Sequence, residues 1–432
     1  MGAQVGFIRS LPSREGHSRL DRVKTLLTIG CSLWLLVVSC IPTFAADVSV
    51  YGAGIIPESI KATDLNRDGN LDIVVTNYFA VGSVSVLLGN GDGTLGSAAT
   101  YYLPGNAENP SYVAVNDIDK DMKPDLIVAG DLCSSFGCSA GVIVLRGNGN
   151  GTFQWVSSYA FPSSHAASIA VADFDQDSND DVAVGLGNGR IAFLQGNGLG
   201  AFQAAGSYDS GSVGAISVAL GDFNKDGRVD VAATGDGDGV MGILSGNGDG
   251  TFQLVGTYST EAHRPGIWGG YSFLVAVGDI DADSNLDLVT ANGCAQSITQ
   301  CNGVVAALRG NGNGTFQQAK QYSSGGWLST SVALGDFDAD GAMDVAVSNE
   351  CSNKQCRYGT VGVLLGDRVR LLQDPKRYSS GGWVATSVTV GDFNEDGRLD
   401  LVAANFCAAE NDCASGTVRV LIGNGDGTFA PK

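Results

Sequence analysis

The feature that most constrains this chain of 432 residues is a nine-residue acidic phrase, Asp-x-(Asp/Asn)-x-Asp-x-x-x-Asp, which occurs seven times. Successive copies start 53, 56, 49, 57, 57 and 56 residues apart. A self-similar unit of this size is typical of propellers and solenoids, in which each repeat packs against its neighbours. The copies begin at Asp64, Asp117, Asp173, Asp222, Asp279, Asp336 and Asp392.

The spacing of the acidic residues predicts a metal-binding loop. Oxygens on alternate residues of a tight loop can surround one ion, and calcium takes roughly six to eight oxygen ligands. Positions one, three, five and nine supply side chains, and position seven supplies its backbone carbonyl, so its side chain can even be Lys or Arg. A single copy is better explained as an acidic turn without metal. Seven copies in register favour metal, because uncompensated carboxylates repel one another.

We therefore expect up to seven structural Ca²⁺ ions. The loops differ from an EF-hand, which needs a Glu at position twelve and flanking helices, because that position is Val75 in the first copy and Ala403 in the last. The predicted ligand residues, loop by loop and including position seven, are Asp64, Asn66, Asp68, Asn70, Asp72, Asp117, Asp119, Asp121, Lys123, Asp125, Asp173, Asp175, Asp177, Asn179, Asp181, Asp222, Asn224, Asp226, Arg228, Asp230, Asp279, Asp281, Asp283, Asn285, Asp287, Asp336, Asp338, Asp340, Ala342, Asp344, Asp392, Asn394, Asp396, Arg398 and Asp400.

Strand-like runs surround each loop and predict an all-β fold. In each repeat an apolar run enters the loop, a second leaves it, a third ends in a glycine-rich turn such as Gly246–Phe252, and a fourth leads to a Tyr. Four strands per repeat are typical of a propeller blade, and the period-two alternation argues against a helical solenoid. The sixth repeat has lost the glycine-rich turn at residues 366–370, so we expect its blade to be the most irregular.

We therefore predict a seven-bladed β-propeller of four-stranded antiparallel blades. The chain stops at Lys432, just after the seventh turn, with no room for a fourth strand. Residues 47–53 resemble the missing strand, so we expect them to pair with the last blade and close the ring without an open sheet edge. The propeller domain is residues 46–432, and its predicted blades are residues 55–103, 111–160, 166–208, 214–258, 272–322, 329–378 and 385–429 plus 47–53.

Residues 1–45 have the pattern of a signal peptide. Basic residues precede an apolar run over residues 26–41, and a small-residue exit ends at Ala45. The alternative is a bacterial lipoprotein box, which would leave Cys40 lipidated. We expect a secreted or cell-surface protein with no membrane span after the signal peptide is removed.

The cysteines agree with export. Eight of the ten cysteines lie beyond residue 45, in four close pairs that each follow an Asp loop and stand between two strand-like runs. Such pairs indicate disulfides that clamp loops in an oxidising compartment. A Cys₄ zinc site would need C-x₂-C spacing, which is absent. The expected pairs are Cys133 with Cys138, Cys294 with Cys301, Cys351 with Cys356, and Cys407 with Cys413.

The net charge of −20 does not point to a basic partner. The side-chain ligand positions of the seven loops hold 25 of the 45 acidic residues, since three of these 28 positions are Asn. Much of the acidity therefore belongs to the predicted metal loops. Nucleic-acid binding is not expected, because the sequence has no basic patch that could neutralise phosphates.

The Asp loops, together with the Gly-Asn-Gly-Asp-Gly-Thr-Phe turns, resemble FG-GAP/VCBS repeats, which form the blades of integrin α-subunit propellers and of related bacterial surface proteins. The resemblance covers residues 47–432. It implies a seven-bladed propeller with calcium along one rim and a role in binding or cell adhesion. In integrins only some blades keep the metal loop, so seven of seven exceeds that pattern.

The rim opposite the Asp loops is the expected ligand site, because it carries the variable loops and the cysteine pairs, and loops on a rigid scaffold often carry function. Trp327 and Trp383 each follow Ser-Ser-Gly-Gly, and such a Trp suits a sugar ring or a protein anchor. Packing of these Trp side chains between blades is the competing interpretation. The aromatic residues expected on this rim are Tyr112, His165, Trp268, Tyr271, Trp327 and Trp383.

We expect a monomeric, non-enzymatic module that binds a protein or glycan ligand. A lectin is the alternative, and a polysaccharide lyase-like enzyme comes third. No catalytic constellation can be identified: His165 and His263 lie in different repeats, and Gly137–Gly141 matches G-x-S-x-G in a Cys-clamped loop rather than in a strand-to-helix elbow.

Overall fold

The repeats fold into sheets whose strands follow the order expected from the sequence. In the described part of the chain, consecutive strands of a repeat pair antiparallel and form seven blades of four strands, which confirms the predicted fold class. The computed structural model describes residues 49–79, 81–162, 165–235, 239–260, 274–293, 302–368, 370–410 and 412–432.

The strands are numbered in chain order, and β1 is Val50–Gly54. Blade one contains β2 (Pro57–Thr63), β3 (Asp72–Asn77), β4 (Ser83–Leu87) and β5 (Ala99–Tyr102). Blade two contains β6 (Ala107–Asn116), β7 (Asp125–Ser134), β8 (Gly137–Gly147) and β9 (Phe153–Phe161). Blade three contains β10 (Ala166–Ala172), β11 (Asp181–Leu186), β12 (Arg190–Gly196) and β13 (Phe202–Asp209). Blade four contains β14 (Ala215–Gly221), β15 (Asp230–Gly235), β16 (Val240–Gly246) and β17 (Phe252–Ser259). Blade five contains β18 (Val275–Gly278), β19 (Asp287–Asn292), β20 (Asn302–Leu308) and the first part of β21 (Lys320–Gly335). Blade six contains the rest of β21, β22 (Asp344–Cys351), β23 (Thr360–Leu364) and β26 (Lys376–Ser379), together with the short strands β24 (Gly366–Asp367) and β25 (Leu371–Leu372). Blade seven contains β27 (Trp383–Gly391), β28 (Asp400–Cys407), β29 (Gly416–Gly423) and β30 (Phe429–Pro431).

Burial is graded across each blade. Every residue of the second strands β3, β11 and β19 is buried, because both faces of these strands pack against neighbouring blades. The fourth strands β5 and β13 are largely exposed. This gradient explains why the second strands are rich in Val, Ile and Ala, whereas the fourth strands are more polar.

The hydrophobic core consists of clusters between neighbouring blades. One cluster joins Ile73 and Val75 of blade one with Val402 and Val420 of blade seven. Full burial of an apolar side chain of this size contributes roughly 1.5–3 kcal/mol relative to exposure. The first and last blades therefore pack on each other as sequential blades do.

An edge-to-face ring contact recurs between sequential blades. The fourth-strand Tyr of one blade meets the Phe that ends the turn between the third and fourth strands of the next. Ring centroids lie 5.9 Å apart for Tyr101 and Phe153, and 5.6 Å apart for Tyr258 and Phe316. The Phe316 backbone N–H also donates to Tyr258 Oη at 3.1 Å. Such aromatic pairs add about 0.5–1.5 kcal/mol beyond burial, so the Tyr fastens its blade to the next one.

Both ends of the described chain pair with one strand of the last blade. Strand β1 runs antiparallel to β29, with Val50 opposite Arg419. Strand β30 pairs with the other half of β29, with Leu421 opposite Pro431. The pairing expected for residues 47–53 is present from Val50 onward. The expectation that the C-terminus has no room for a strand is wrong, because β30 supplies three residues of it.

The fifth and sixth blades share a strand. Strand β21 has 16 residues and pairs with β20 in the fifth blade and with β22 in the sixth. The predicted boundary at residues 322–329 therefore lies inside a continuous strand. In the sixth blade the short strands β24 and β25 pair with each other where the glycine-rich turn is missing, which is the irregularity expected there.

Three of the predicted disulfides lie in the described part of the chain, and these are confirmed. Each clamps the loop between the second and third strands of its blade. They join Cys133 to Cys138, Cys351 to Cys356, and Cys407 to Cys413.

Several predictions fall outside the described residues. They are the signal peptide over residues 1–45, the Cys294–Cys301 pair, His263, Trp268 and Tyr271. Within the described ranges, no helix has the length and apolar character needed to span a membrane.

Candidate metal centres

All seven Asp loops lie at one end of the blades. Each connects the first strand of a blade to the second, and the antiparallel order places the turn between the third and fourth strands at the same end. This end is called the loop rim below. The end that carries the loops between second and third strands and the links between blades is called the opposite rim.

The carboxylate at position one holds the turn of each loop. In the fifth loop, Asp279 Oδ1 accepts a hydrogen bond from the Asp283 N–H at 3.0 Å, and Oδ2 accepts one from the Ser284 N–H at 2.8 Å. The other six loops repeat both contacts. In every loop the position-five carboxylate accepts from the N–H of position seven, as Asp283 does from Asn285 at 2.8 Å. These bonds wind the backbone around the acidic side chains.

Position nine is buried and joins two turns. Asp287 Oδ2 accepts from the Ile280 N–H at 2.9 Å, and Oδ1 accepts from the Gly310 N–H at 2.8 Å. The same pair of bonds occurs in the other six loops. Burial raises the pKa of Asp287 to about 7 and that of Asp72 to about 6, because ionisation away from water is costly.

Two residues in every loop have a left-handed backbone. Position six is Gly in four of the loops, as suits this conformation, and Gly69 and Gly397 have φ of 95° and 80°. Position four has a positive φ as well, although it is never Gly, and a non-Gly residue in this region costs about 1–2 kcal/mol. The left-handed conformation at this position is not evident from the sequence, because its residues share no chemical type. They are Arg67, Lys120, Gln176, Lys225, Ala282, Ala339 and Glu395.

Position two anchors each loop in the core. It is apolar and at most 4% exposed in all seven loops, although it stands between two ligand positions. Phe174, for example, packs edge-on against Phe193 and Phe252, with ring centroids 5.4 Å apart in both pairs. The alternation of acidic and apolar residues is visible in the sequence and could have identified it. The residues are Leu65, Ile118, Phe174, Phe223, Ile280, Phe337 and Phe393.

Where position three is Asp, three carboxylates of one loop come together. In the second, third and fifth loops the oxygens of positions one, three and nine lie within 4.8 Å of one another, and in the sixth loop those of positions one, three and five do. In the fifth loop the Asp281 side chain is only 6% exposed, and its Oδ1 has no hydrogen-bond partner among the described residues. Clustered carboxylates repel, and a buried oxygen without a donor suits a hard cation. The residues present therefore fit a divalent cation bound by oxygen.

In two loops the carboxylate at position three forms an ion pair with an Arg from outside the loop. Arg309 Nε lies 2.8 Å from Asp281 Oδ2, and Arg146 forms an ion pair with Asp119. Each Arg directly precedes the glycine whose N–H is held by position nine. These pairs are not evident from the sequence, because the Arg lies at the end of the third strand or directly after it, more than twenty residues beyond the Asp.

Basic side chains at position seven turn back toward position five. Lys123 Nζ lies 2.8 Å from Asp121 Oδ2, and Arg398 Nη1 lies 3.4 Å from Asp396 Oδ2. In the sixth loop, by contrast, Ala342 is buried, so a larger side chain would not fit at position seven of this loop without rearrangement. Binding of metal by the position-seven carbonyl stays a prediction, as does the full ligand set of each loop.

A cleft of about 850 Å³ lies on the opposite rim between blades five and six. This volume is in the usual range for small-ligand sites, about 300–1,000 Å³. The cleft is lined by residues of β20, β21 and β26 and by the loop that the Cys351–Cys356 disulfide clamps. Its side chains include Trp327, Lys354 and Arg377.

The two Ser-Ser-Gly-Gly-Trp copies differ in their surroundings. Trp383 donates its indole N–H to the Cys356 carbonyl at 2.7 Å, so it fastens blade seven to the Cys loop of blade six. Trp327 lines the cleft, and its indole N–H has no hydrogen-bond partner in the part of the chain that the structure describes. The inter-blade interpretation is therefore confirmed for Trp383, whereas Trp327 is half-buried at the cleft, in the strand that blades five and six share. Tyr112 is also engaged, since its Oη accepts from Lys61 Nζ at 2.9 Å.

His165 forms a polar cluster away from this cleft. Its Nδ1 lies 3.0 Å from Asp131 Oδ1, and Asn109 Nδ2 donates to Asp131 Oδ2 at 3.1 Å. An Asp can orient an imidazole for catalysis, but such a site also needs a reacting group within reach. The Ser139 hydroxyl of the G-x-S-x-G match instead donates to a backbone carbonyl, at 3.4 Å.

Comparison with known families and structures agrees with this architecture. The FG-GAP-like repeat family matches residues 64–128, 129–184, 173–233, 222–290 and 295–347, and the FG-GAP repeat family matches residues 384–421. A search of curated proteins gave no significant match.

Similar solved structures show the fold alone, because sequence identity is low. BBS1N in complex with ARL6DN is 14% identical, with a TM-score of 0.53 over 86% of this chain and 92% of that one. A protein from Lactobacillus plantarum is 14% identical, with a TM-score of 0.53 over 76% of this chain and 86% of that one. A protein from Bacteroides fragilis, described as a candidate 6-phosphogluconolactonase, is 14% identical, with a TM-score of 0.53 over 75% of this chain and 84% of that one.

Proposed function

Because the chain belongs to the FG-GAP repeat family, we propose that it is an exported, calcium-binding β-propeller that binds a protein or glycan ligand on the opposite rim. The observation that carries the calcium assignment is the fifth loop. There, three carboxylates converge, and the buried Asp281 Oδ1 has no donor among the described residues. Hard oxygen ligands on a loop of this kind favour calcium over softer transition metals.

In this proposal the fifth loop holds calcium through Asp279, Asp281, Asp283 and Asp287 and through the carbonyl of Asn285. The ion supplies positive charge that cancels the repulsion among the carboxylates. The loop is already wound by backbone hydrogen bonds to Asp279. The role of the metal is therefore structural: it stabilises the loop rim and with it the register of the first two strands of each blade.

The opposite rim is the binding surface in this proposal because its loops are variable in sequence yet held rigidly. Disulfides clamp the loops of blades two, six and seven, and a cleft opens beside one of them. Export is supported by these disulfides, which persist in oxidising compartments, and by the signal-like sequence of residues 1–45.

A lectin with equivalent sugar sites on several blades is the second candidate. That arrangement needs the same residues free in each blade, whereas Trp383, the sequence twin of Trp327, has its indole N–H committed to a backbone carbonyl. A single binding cleft is therefore favoured over a set of repeated sites. The lyase-like hypothesis is third, with His165 and Asp131 as its best-placed pair.

The calcium assignment is tested by a metal count on protein purified in calcium-containing buffer. We expect several calcium ions per chain, removable by chelator, together with a lower melting temperature of the metal-free form. No bound calcium and an unchanged melting temperature would refute the assignment. Binding on the opposite rim is tested separately, by substituting residues of the cleft and measuring ligand affinity.

A further inference from the structure

We propose that the cleft between blades five and six binds an acidic oligosaccharide, one that carries carboxylate or sulfate groups. The inference rests on the proposed function, since it names the ligand class for binding on the opposite rim. It starts from the charge of the lining. The chain has 45 acidic and 25 basic residues, yet the described residues that line this cleft include Lys354 and Arg377 and no Asp or Glu.

The two cations are available to a ligand. Both are exposed, and neither forms an ion pair with a described residue. A guanidinium presents paired donors that match a carboxylate or sulfate, and hydrogen bonds between charged partners are roughly twice as strong as neutral ones. Two unpaired cations on an otherwise acidic protein therefore select an anionic ligand.

The remaining lining fits a sugar. Trp327 offers a flat apolar surface, on which the C–H face of a pyranose ring can stack. Asn302, Asn353 and Gln355 also line the cleft, and carboxamides both donate to and accept from hydroxyl groups. An aromatic face, surrounding amides and a pair of cations together match the apolar face, the hydroxyls and the acid group of an acidic sugar.

The wall of the cleft that carries Asn353, Lys354 and Gln355 is rigid before any ligand binds. Residues 352–355 all lie within the loop closed by the Cys351–Cys356 disulfide. The Cys356 N–H donates to the Asn353 carbonyl at 2.9 Å, and the Cys356 carbonyl accepts from Trp383 at 2.7 Å. A wall fixed in this way loses little conformational entropy on binding, which favours affinity.

The test measures binding of three hexasaccharides to the purified, calcium-loaded full chain by calorimetry: an oligogalacturonate, a chondroitin sulfate and a neutral cello-oligosaccharide. We expect at least one acidic probe to bind about tenfold or more tightly than the neutral probe, and its affinity to fall as salt is raised. The two acidic probes distinguish carboxylate from sulfate recognition. Equal affinity for neutral and acidic probes, or no binding of any probe, would overturn the inference.

Matched variants locate the site. Arg377→Gln should weaken binding of the acidic probe about tenfold or more. The control Lys376→Gln removes the same charge from the neighbouring residue of β26, whose side chain points to the other face of the sheet, and should change the affinity less than about twofold. Trp327→Ala should abolish stacking, whereas Trp155→Ala removes an exposed Trp from β9 and should leave binding unchanged. Acidic binding that survives Arg377→Gln would place the ligand elsewhere, for example on calcium at the loop rim, and would refute this site.

The inference and the proposed function fail in different ways. Calcium-dependent melting without binding of any acidic probe refutes only the acidic-sugar inference. Binding of the acidic probe that depends on Arg377, in a protein whose melting does not respond to chelator, refutes the calcium assignment and leaves the cleft intact.

Discussion

Asp287 Oδ1 accepts a 2.8 Å hydrogen bond from the backbone N–H of Gly310, a residue 23 positions further along the chain. Asp287 closes the Asp loop of the fifth blade, and Gly310 begins the turn between that blade's third and fourth strands. The second oxygen of the same carboxylate accepts from Ile280 at 2.9 Å. One buried side chain thus fixes two turns to each other, and its equivalents do so in every blade.

Asp287→Ala is expected to lower the free energy of unfolding of the metal-free protein by about 2–4 kcal/mol, because it leaves two buried N–H groups without acceptors. The matched variant Asp283→Ala removes an exposed carboxylate of the same loop and is expected to cost less than about 1 kcal/mol in chelator. Denaturant unfolding measures both. Equal costs for the two variants would show that Asp287 has no special structural role.

When calcium is bound, the exposed ligand residues are expected to contribute to stability. Extracellular calcium modules bind with a Kd of about 10⁻⁴–10⁻³ M, so about 10 mM calcium is expected to add about 1.4–2.7 kcal/mol for each occupied site. Asp283→Ala should abolish the stabilisation that calcium gives through the fifth loop. Asn285→Ala keeps the backbone carbonyl and should retain that stabilisation. The difference in melting temperature with and without chelator measures this. Identical responses of the two variants would mean that the assignment of ligand positions is wrong.

The seven blades and the acidic loops could be predicted from the sequence because both recur at a nearly constant period, which the local sequence pattern reveals. Pairing of residues 47–53 with the last blade could be predicted from a strand count. The Arg309–Asp281 pair could not be predicted, because the two residues lie in different turns of the blade and meet only after the blade has formed. Similarly, the different roles of Trp327 and Trp383 follow from tertiary neighbours, since their local sequences are the same.

The pH dependence of the metal-free protein follows from the buried position-nine residues. Burial raises the pKa of Asp287 and of Asp344 from 3.8 to about 7. A raised pKa contributes stability that is fully present below pH 3.8 and is lost as the pH rises through about 7, because only the unfolded chain ionises freely in this window. In chelator we expect the melting temperature to fall between pH 5 and pH 8. Asp287→Asn should reduce this fall, and a melting temperature that rises instead would contradict the prediction.

The N-terminal strand is expected to stabilise the last blade. Strand β1 pairs with β29, and Ala53 is fully buried in the cluster that joins the first and last blades. Removal of residues 46–53 would expose the edge of β29 and part of this cluster, so the protein should melt at a lower temperature and aggregate more readily. Removal of residues 1–45 alone is the control and should have neither effect. An unchanged melting temperature after the longer deletion would show that β1 does not hold the ring together.

The left-handed backbone at position four predicts substitutions that stabilise the protein. Ala282 and Ala339 have φ of 57° and 60°, and both are exposed. Glycine adopts this conformation without steric cost, although it gains more entropy on unfolding. We expect the strain relief to exceed the entropic cost, so that Ala282→Gly and Ala339→Gly each raise the free energy of unfolding by about 0.5–1 kcal/mol. The control is Ala346→Gly in strand β22, where the residue is fully buried and the same change should be destabilising. Denaturant unfolding in calcium and in chelator measures all three, and destabilisation by the two loop variants would show that these alanines are not strained.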